Sequence, residues 1–540
     1  MKKYESVWPS SFHKPLSKKV ITMKESRKKI KIEGEHVYDT NLIYSRVLGL
    51  QTVRDINLQD VMKYELAPIP TSIFEENGDM HITKTKSVLK KKLQVEISDR
   101  MCSTPSAIII DGCAILWVIQ WPTKATVEDF IVNLIAFLNE KLKSCDTYLI
   151  FDRYHDNSIK RATRTARAGK EASRRMKLGL KTPLPAQKIV LTVTENKIQL
   201  INLICSYIAN HVELLGDHRL ILTGQDPTPI EVFEGKLKLR HDLYTTHEEA
   251  DVVIVQQVVH VATAGSSSVK VISDDTDVFV LLLHYYQSEN LKCDLVMTGT
   301  SHGRTSMDVK ASVAKFANII PELLSAHALT GCDTVSCFYG IGKATVVKCL
   351  KEGYRLNYLG HMNMKQSNLF VEATTFIAAC YGSKERKNMT AVRFEIWSQK
   401  MAHKRITAAP SLKTLPPTTE AFEEHVIRAH VQAAIWRSAL ETDPPAFEHN
   451  RGWTTDGSSN GLVPVPLPPD VRPAPDDVLK MIRCGCSSAR PCDTSRCSCS
   501  AARLSCTLFC SCHGNEDCFN VQTKMAYLQT DGDLDDESAE

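Results

Sequence analysis

The sequence lacks the features that would direct a chain into a membrane or out of the cell. No run reaches the roughly 18 apolar residues that a membrane-spanning helix needs. The first residues, MKKYESVWPSSFHK, contain no apolar core of a secretory signal. We therefore predict a chain with no membrane helix in a reducing compartment, where cysteines are thiols or metal ligands rather than disulfides.

An excess of one charge is also missing, as is any internal repeat. The 66 Lys and Arg residues nearly balance 62 Asp and Glu, and the net charge of +4 by itself indicates no partner. Basic charge is instead concentrated in residues 153–190, which hold eleven Lys and Arg against two acidic residues. Such a segment is typical either of a phosphate-binding surface or of a solvated basic helix.

Composition divides the chain into five segments. Residues 1–104 are mixed and indicate no function, whereas residues 105–440 have the regular patterns of a folded domain. Residues 441–478 contain eight prolines and are predicted to be a linker. A cysteine-rich module at 479–522 and an acidic tail at 523–540, expected to be disordered, complete the chain.

The segment 105–440 has the alternation of an α/β fold. Five short apolar runs are predicted to be buried strands: AIIID, TYLIFD, RLILT, VKVISDD and DLVMTG. A 3.6-residue apolar period predicts helices at VEDFIVNLIAFLNEKLK, ENKIQLINLICSYIANHV and EEADVVIVQQVVHVA. Strands that alternate with helices predict a parallel sheet flanked by helices.

Acidic residues follow the ends of these strands or begin the helices. The set comprises Asp111, Asp152, Glu249, Asp251, Asp275, Asp277 and Asp333. Each residue taken singly is better explained as a turn residue or a helix cap. The carboxyl ends of parallel strands meet at one sheet edge, however, and a cluster of like charges there requires cations. The set therefore predicts a site for two Mg²⁺ ions suited to phosphodiester hydrolysis.

The order of the motifs IIIDG, YLIFD, EEAD, SDDTD, LTGCD and GIGKATVV resembles that of the flap endonuclease/XPG-type nucleases, a branch of the PIN-like fold. The resemblance covers about residues 105–360. It implies a PIN-like parallel sheet flanked by helices. It also implies that the seven carboxylates hold Mg²⁺ or Mn²⁺ and that the reaction is two-metal cleavage of DNA.

Two further segments resemble parts of the same family. GCDTVSCFYGIGKATVVKCL resembles its helix–two-turn–helix, which implies that Gly340, Gly342 and Lys343 contact a DNA phosphate, with a bound K⁺. An ordinary helical hairpin explains GIGK equally well. In the basic segment, the resemblance implies that Lys160 and Arg167 hold the scissile phosphate.

Arg161 and Arg164 lie beside these positions and are predicted to contact DNA. Two departures limit what the resemblance implies. About 100 residues precede Asp111, where the family begins almost at its first strand, and the basic segment is short. Selectivity for a flap or a 5′ end is therefore not expected to carry over.

Nine of the 18 cysteines lie within residues 484–518, spaced C-x-C-x5-C-x4-C-x-C-x6-C-x3-C-x-C-x5-C. They are Cys484, Cys486, Cys492, Cys497, Cys499, Cys506, Cys510, Cys512 and Cys518. Few apolar residues are present, so the segment needs metal to fold. Nine thiolates complete three tetrahedral Zn²⁺ sites if three sulfurs bridge. A disulfide knot and an Fe–S cluster are the alternatives, and the odd count opposes the first.

This spacing resembles the tesmin/TSO1-like CXC domain, which implies a zinc-dependent DNA-binding module of a nuclear protein. The family often has Tyr before its second C-x-C, and this chain has Arg496 there. Arginine also enters narrow minor grooves. We therefore expect a nuclear, metal-dependent structure-specific nuclease that a zinc module targets to DNA. The rival hypothesis is a non-catalytic DNA-binding or scaffold protein that retains a nuclease-like fold. A third hypothesis is a mobile-element-derived protein that uses either activity.

Overall fold

A computed structural model describes residues 57–524 apart from gaps at 68, 76–77, 84–85, 98–103, 156–157, 161–173, 302–304, 403–409, 447–451, 456–461, 469, 476–483, 495, 502–505, 507–509, 516 and 522. Before residue 57 it describes 30–32, 35–37, 43–44 and 47–48. The chain forms two compact units. The larger unit comprises Ser72–Glu75 and Asp79–Val471, and the smaller comprises Met1–Thr71, Glu76–Gly78 and Arg472–Glu540.

Twelve strands occur in the described residues. In chain order they are β1 (Ile30–Ile32), β2 (Glu35–Val37), β3 (Ala107–Asp111), β4 (Asp146–Ile150), β5 (Leu220–Thr223), β6 (Ile230–Phe233), β7 (Lys236–Leu239), β8 (Ser268–Ile272), β9 (Asp294–Thr298), β10 (Met307–Asp308), β11 (Trp453–Thr455) and β12 (Leu462–Pro464).

Fifteen α-helices occur in the same residues. They are α1 (Leu58–Val61), α2 (Ser87–Leu93), α3 (Gly112–Ile115), α4 (Val127–Leu142), α5 (Gln187–Thr192), α6 (Thr194–Asn210), α7 (Ala250–Thr263), α8 (Thr276–Ser288), α9 (Val309–Phe316), α10 (Ile320–Leu329), α11 (Lys343–Lys351), α12 (Gln366–Cys380), α13 (Met389–Met401), α14 (Thr419–Arg437) and α15 (Ser498–Ala501). Among the described helices, none combines the length and apolar character needed to cross a bilayer.

The larger unit is built on an eight-stranded sheet with the order β10-β9-β8-β3-β4-β5-β6-β7. The five central strands, β9, β8, β3, β4 and β5, run parallel. The outer strands β10, β6 and β7 are antiparallel to their neighbours. The predicted α/β fold with a parallel sheet is thus confirmed, and all five predicted strands are present. The β6–β7 hairpin was not predicted, because its exposed Lys-Leu alternation lacks the apolar run of a buried strand.

Helices cover both faces of this sheet because its central strands are apolar on both sides. All five residues of β3 are buried. Ile108 and Ile110 pack with α4 and α6 in one apolar cluster. Ile109 points to the opposite face, as alternation along a strand requires, and α7 packs against β3, β4 and β8. The carboxyl ends of the parallel strands therefore form one accessible edge between two helical layers.

Helix α14 anchors the carboxyl-terminal part of the larger unit. Its Arg428 is fully buried and donates hydrogen bonds to the carbonyls of Gly452 and Val465, which flank the β11–β12 hairpin. His425 bonds the carbonyl of Leu329 at the end of α10. The hairpin lies within residues 441–478, which we predicted to be a linker, and the larger unit likewise includes residues 79–104, to which the sequence assigned no role.

Candidate functional site

The first acidic residue ends the central strand. Asp111 is the last residue of β3 and caps α3 by accepting the Ala114 amide at 2.9 Å. Its second oxygen accepts the Ser273 hydroxyl at 3.0 Å. A side chain at Gly112 would meet the Phe151 ring at 2.6 Å, so only glycine permits this close turn. Burial raises the pKa of Asp111 to about 6, although these two hydrogen bonds lower it.

Asp152 connects the end of β4 to the start of α7. Its Oδ1 accepts the amide of Ala250 at 3.0 Å, and Lys197 lies 4.0 Å from its Oδ2. The amide belongs to the first turn of α7, where the helix has unpaired N–H groups and a partial positive charge. Asp152 thereby fixes the position of the two carboxylates that flank Ala250.

Those two carboxylates, Glu249 and Asp251, are buried at the amino end of α7. The Lys160 ammonium lies 3.3 Å from Glu249 and 3.8 Å from Asp251. The Trp436 indole N–H donates to Glu249 at 3.4 Å. Burial, followed by repulsion from Asp275, holds the pKa of Asp251 well above its usual range.

Asp275 and Asp277 follow β8, and Asp275 caps α8 by accepting the Asp277 amide at 2.9 Å. Asp277 also lies 2.8 Å from Nε2 of His327 on α10. Because a carboxylate only accepts, the imidazole carries its proton on Nε2. Burial disfavours the Asp277 carboxylate, but Lys86 and His327 outweigh this effect and hold its pKa below the usual range.

Asp333 lies in the turn between α10 and α11 and reaches the same cluster through Lys86. The Lys86 ammonium is 2.9 Å from Asp275, 3.3 Å from Asp277 and 3.1 Å from Asp333. Burial disfavours this ammonium, but the three carboxylates outweigh that effect and raise its pKa. The predicted acidic residues thus form two bonded groups, one around Lys160 and one around Lys86. Asp251 brings the two groups together, because its carboxylate lies close to those of Asp275 and Asp277.

The acidic cluster has the donor set of a divalent-metal site. One carboxylate oxygen from each of Asp251, Asp275 and Asp277 lies within 4.8 Å of the other two. Asp251 and Asp277 are buried and Asp275 is half-buried. Like charges so close together disfavour full ionisation of all three carboxylates. Oxygen donors at this spacing suit Mg²⁺ or Mn²⁺, so the residues fit the metal that the sequence predicts.

Four residues of this site were missed by the sequence analysis: Lys86, Lys197, His327 and Trp436. Lys86 lies in residues 1–104, to which the sequence analysis assigned no function. His327 and Trp436 lie on α10 and α14, for which it identified no pattern. The His327 and Trp436 rings stack with centroids 5.6 Å apart, which supports the partners that they offer to Asp277 and Glu249.

The structure describes only part of the basic segment 153–190. Lys160 points into the acidic cluster, as described above. The other three predicted phosphate contacts, Arg161, Arg164 and Arg167, lie outside the described residues. Their predicted roles therefore stay predictions.

The predicted phosphate-binding turn contains two open glycines and one buried lysine. Gly340 has φ +81°, Gly342 caps α11, and a side chain at either would meet nothing within 4 Å. Their backbone is therefore open to approach. Lys343, predicted to contact DNA, is instead only 2% exposed. Its ammonium donates to two carbonyls and one hydroxyl at the end of α10, so the predicted DNA contact is wrong for this conformation.

The nine cysteines of the smaller unit form one cluster, in which eight are buried and Cys486 is half-buried. Their Sγ atoms form four overlapping groups of four. Within each group all Sγ atoms lie within 4.8 Å of one another, and the shorter separations include 3.4 Å between Cys484 and Cys492 and 4.0 Å between Cys497 and Cys506. They exceed the S–S bond of about 2.05 Å. They bracket the edge of about 3.8 Å that a ZnS₄ tetrahedron with 2.3 Å bonds requires.

The overlap of the groups identifies shared sulfurs. Cys484 and Cys506 each belong to three of the four groups, whereas Cys486 belongs to one. The side-chain amide of Asn520 donates to Cys506 Sγ at 3.2 Å, and the Ser500 amide donates to Cys497 Sγ at 3.4 Å. Such donors stabilise thiolates that carry charge. Arg496, immediately before Cys497, is exposed.

Comparison with known proteins finds similarity among solved structures only. No protein-family model matches the sequence. No curated protein matches it either. Similar structures include the bacteriophage T5 D15 protein co-crystallised with metal ions, at 13% identity and a TM-score of 0.29 over 62% of this chain and 98% of that one. The catalytic core of Rad2 in complex with DNA substrate is similar at 10% identity and a TM-score of 0.32, over 66% and 97%.

A third similar structure is the T5 5′-exonuclease with bound zinc, at 14% identity and a TM-score of 0.28, over 62% of this chain and 98% of that one. At these identities and scores the likeness carries no argument about chemistry. What this chain can do has to be inferred from its own carboxylates, lysines and thiolates.

Proposed function

We propose that the larger unit is a metal-dependent nuclease that hydrolyses phosphodiester bonds in DNA. The observation that carries the proposal is the convergence of Asp251, Asp275 and Asp277, whose oxygens lie within 4.8 Å of one another at the carboxyl edge of a parallel sheet. So dense a set of buried carboxylates is costly for folding, and a site for divalent cations explains its presence.

Mg²⁺ or Mn²⁺ would be held by the acidic set, with Asp111, Asp152 and Asp333 at its margins. When bound, such ions lower the pKa of water and stabilise the leaving oxygen of a phosphodiester. The chain itself orients the ligands. Asp152 holds the start of α7 through the Ala250 amide, and His327 directs one oxygen of Asp277.

Contacts to the DNA backbone would come from two places. Lys160 lies 3.3 Å from Glu249 and 3.8 Å from Asp251, and an incoming phosphate offers its ammonium an alternative partner. Arg161, Arg164 and Arg167 are proposed to extend this contact. The open backbone at Gly340 and Gly342 would accept a second phosphate through its N–H groups, with K⁺ as a proposed companion ion.

The smaller unit is proposed to bind three Zn²⁺ ions and to target the nuclease to DNA in the nucleus. Support comes from Sγ–Sγ distances that match a zinc–thiolate tetrahedron and from sulfurs placed to bridge. Arg496 is proposed to contact the DNA because it is exposed beside the cluster.

A second candidate function is a non-catalytic DNA-binding or scaffold protein. One observation favours it: Lys86 and Lys160 form ion pairs with five of the carboxylates. Such pairing is also expected of a fold whose acidic residues have become structural.

The experiment that separates the two functions is cleavage by the zinc-loaded full chain. Flap, bubble, hairpin, single-stranded and duplex DNA would be incubated with Mg²⁺ or Mn²⁺. We expect cleavage by the wild type and loss of at least about a hundredfold in Asp251→Asn, because one ligand charge is removed. The matched control is Asp217→Asn, an exposed change remote from the site in sequence, which should cleave normally.

DNA binding by Asp251→Asn should be unchanged or tighter, since repulsion between the cluster and the DNA backbone falls. If the wild type cleaves none of the substrates with either ion, the non-catalytic function is correct. If Asp251→Asn cleaves as fast as the wild type, the active site lies elsewhere.

A further inference from the structure

Lys86 lies where a cation is expected. Its ammonium contacts one oxygen each of Asp275, Asp277 and Asp333, at 2.9, 3.3 and 3.1 Å. Two of these carboxylates also belong to the group whose oxygens lie within 4.8 Å of one another. An ammonium with three carboxylate neighbours satisfies its three donors, so this arrangement resembles an ion in its ligand set rather than a surface ion pair.

The helix that carries Lys86 is held firmly against the site. Lys86 precedes the first residue of α2, and α2 packs against α8 and α11, the helices that follow Asp275 and the phosphate-binding turn. Leu89 and Leu93 of α2 are fully buried. One turn after Lys86, the Lys90 ammonium donates to the main-chain carbonyl of Asp274 at 2.9 Å. The packing of α2 therefore positions the Lys86 side chain beside the carboxylates.

We propose that Lys86 is a tethered cation that competes with a divalent metal ion for Asp275, Asp277 and Asp333. The inference rests on the proposed function, because it requires that these carboxylates bind metal. An ammonium and a divalent ion cannot share the same oxygens without strong repulsion at about 4 Å. The metal therefore binds only when the Lys86 side chain turns away, and Lys86 sets the metal concentration at which the site becomes competent.

The competition also gives Lys86 a structural role in the metal-free protein. Buried carboxylates that lack a counter-ion destabilise a fold, and Lys86 with Lys160 supplies two positive charges to the cluster. Removal of the Lys86 charge should therefore lower the stability of the metal-free protein, and added metal should restore it. A residue that acted only through packing would not show this dependence on metal.

The test measures the binding of Mn²⁺ to the zinc-loaded full chain. Binding is monitored through the electron paramagnetic resonance signal of free Mn²⁺ and, independently, by calorimetry. Three proteins are compared: wild type, Lys86→Met and the matched control Lys92→Met on the same helix. Methionine keeps the length of the side chain and removes the charge. We expect Lys86→Met to bind Mn²⁺ at least about tenfold more tightly than wild type. Lys92→Met should match the wild type, because Lys92 lies on the same helix but is exposed.

Equal Mn²⁺ affinity in wild type and Lys86→Met overturns this inference and leaves the proposed function intact. Absence of Mn²⁺ binding in all three proteins overturns both. Thermal unfolding adds a second criterion: the rise in Tm on addition of Mn²⁺ should be larger in Lys86→Met than in wild type.

If Lys86→Met does not fold, the wild type alone still tests the inference. Acetylation of lysines by a water-soluble reagent, quantified by mass spectrometry, reports how accessible each ammonium is. Addition of Mg²⁺ should increase the acetylation of Lys86, because the ion displaces it, while the acetylation of the exposed Lys92 should change little. Unchanged or reduced acetylation of Lys86 at saturating Mg²⁺ overturns the inference.

Discussion

Replacement of the buried Lys343 by methionine should change the pH dependence of stability. The Lys343 ammonium donates to the carbonyls of His327 and Gly331 at 2.9 and 2.6 Å and lies 2.9 Å from the Thr330 hydroxyl. It thus satisfies the unpaired end of α10, from which the turn to Asp333 departs. Burial lowers the pKa of Lys343 to about 8.

The magnitude follows from the difference between this pKa and the ordinary lysine value of about 10.4. The unfolded chain binds the proton more tightly between these two values, so stability rises with pH across the window and its full benefit is present only above the upper value. From pH 7.5 to pH 9.5 this one group should add about 2 kcal/mol to the free energy of unfolding.

At pH 7.5, methionine removes the cost of the buried charge, about 3 kcal/mol, but leaves three acceptors without a donor, each worth about 1–3 kcal/mol. Three acceptors at this cost, less the gain of about 3 kcal/mol, make Lys343→Met less stable than the wild type by about 0–6 kcal/mol at pH 7.5 and by more at pH 9.5. The assay is urea unfolding of the zinc-loaded full chain at both pH values, followed by far-ultraviolet circular dichroism.

The control is Lys348→Met on the same helix, whose side chain is 74% exposed. This change should alter the free energy of unfolding by less than about 0.5 kcal/mol at either pH. If the free energies of unfolding of wild type and Lys343→Met differ by the same amount at both pH values, Lys343 does not titrate in this window and its ammonium is not buried. If Lys343→Met instead loses DNA affinity at unchanged stability, the original prediction of a DNA contact was correct.

Two further predictions concern the cysteine cluster and the turn after β3. Cys484→Ser should lose more than one zinc ion per chain and the fold of the module, whereas Cys486→Ser should lose at most one zinc ion. The reason is that Cys484 belongs to three groups of sulfurs and Cys486 to one. Zinc content is measured by mass spectrometry, and equal losses in the two variants would refute the bridging assignment. Gly112→Ala should destabilise the protein by about 2–4 kcal/mol, since its new side chain meets the Phe151 ring at 2.6 Å. Gly179→Ala, with no contact closer than 3.6 Å, should unfold at nearly the wild-type urea concentration.

Several parts of the fold could be predicted because they depend on local pattern. Continuous apolar runs gave the five parallel strands, since a strand buried on both faces has no polar alternation. The 3.6-residue period gave α4, α6 and α7 to within a few residues. The antiparallel strands β6, β7 and β10 were not predicted, because short edge strands are exposed and resemble loops in sequence.

The positions of charged side chains were less predictable. Both Lys86 and Lys343 lie in segments whose composition indicates surface, yet one ammonium is inserted among carboxylates and the other is buried at the end of α10. Lysine has a long flexible side chain, so its sequence position does not determine where its charge lies. The position of each ammonium depends on partners that are distant in the chain, such as Asp275 for Lys86.

The chemical groups that the protein presents can be read from its amino-acid order: carboxylates at strand ends and helix starts, and nine cysteines at metal-ligand spacing. They are predictable because the carboxyl ends of parallel strands meet at one edge, and because closely spaced thiols can reach a common ion. Which ammonium groups pair with those carboxylates, and which helices support them, became known from the three-dimensional fold. Ion pairs and helix packing join residues far apart in sequence, so no local pattern records them.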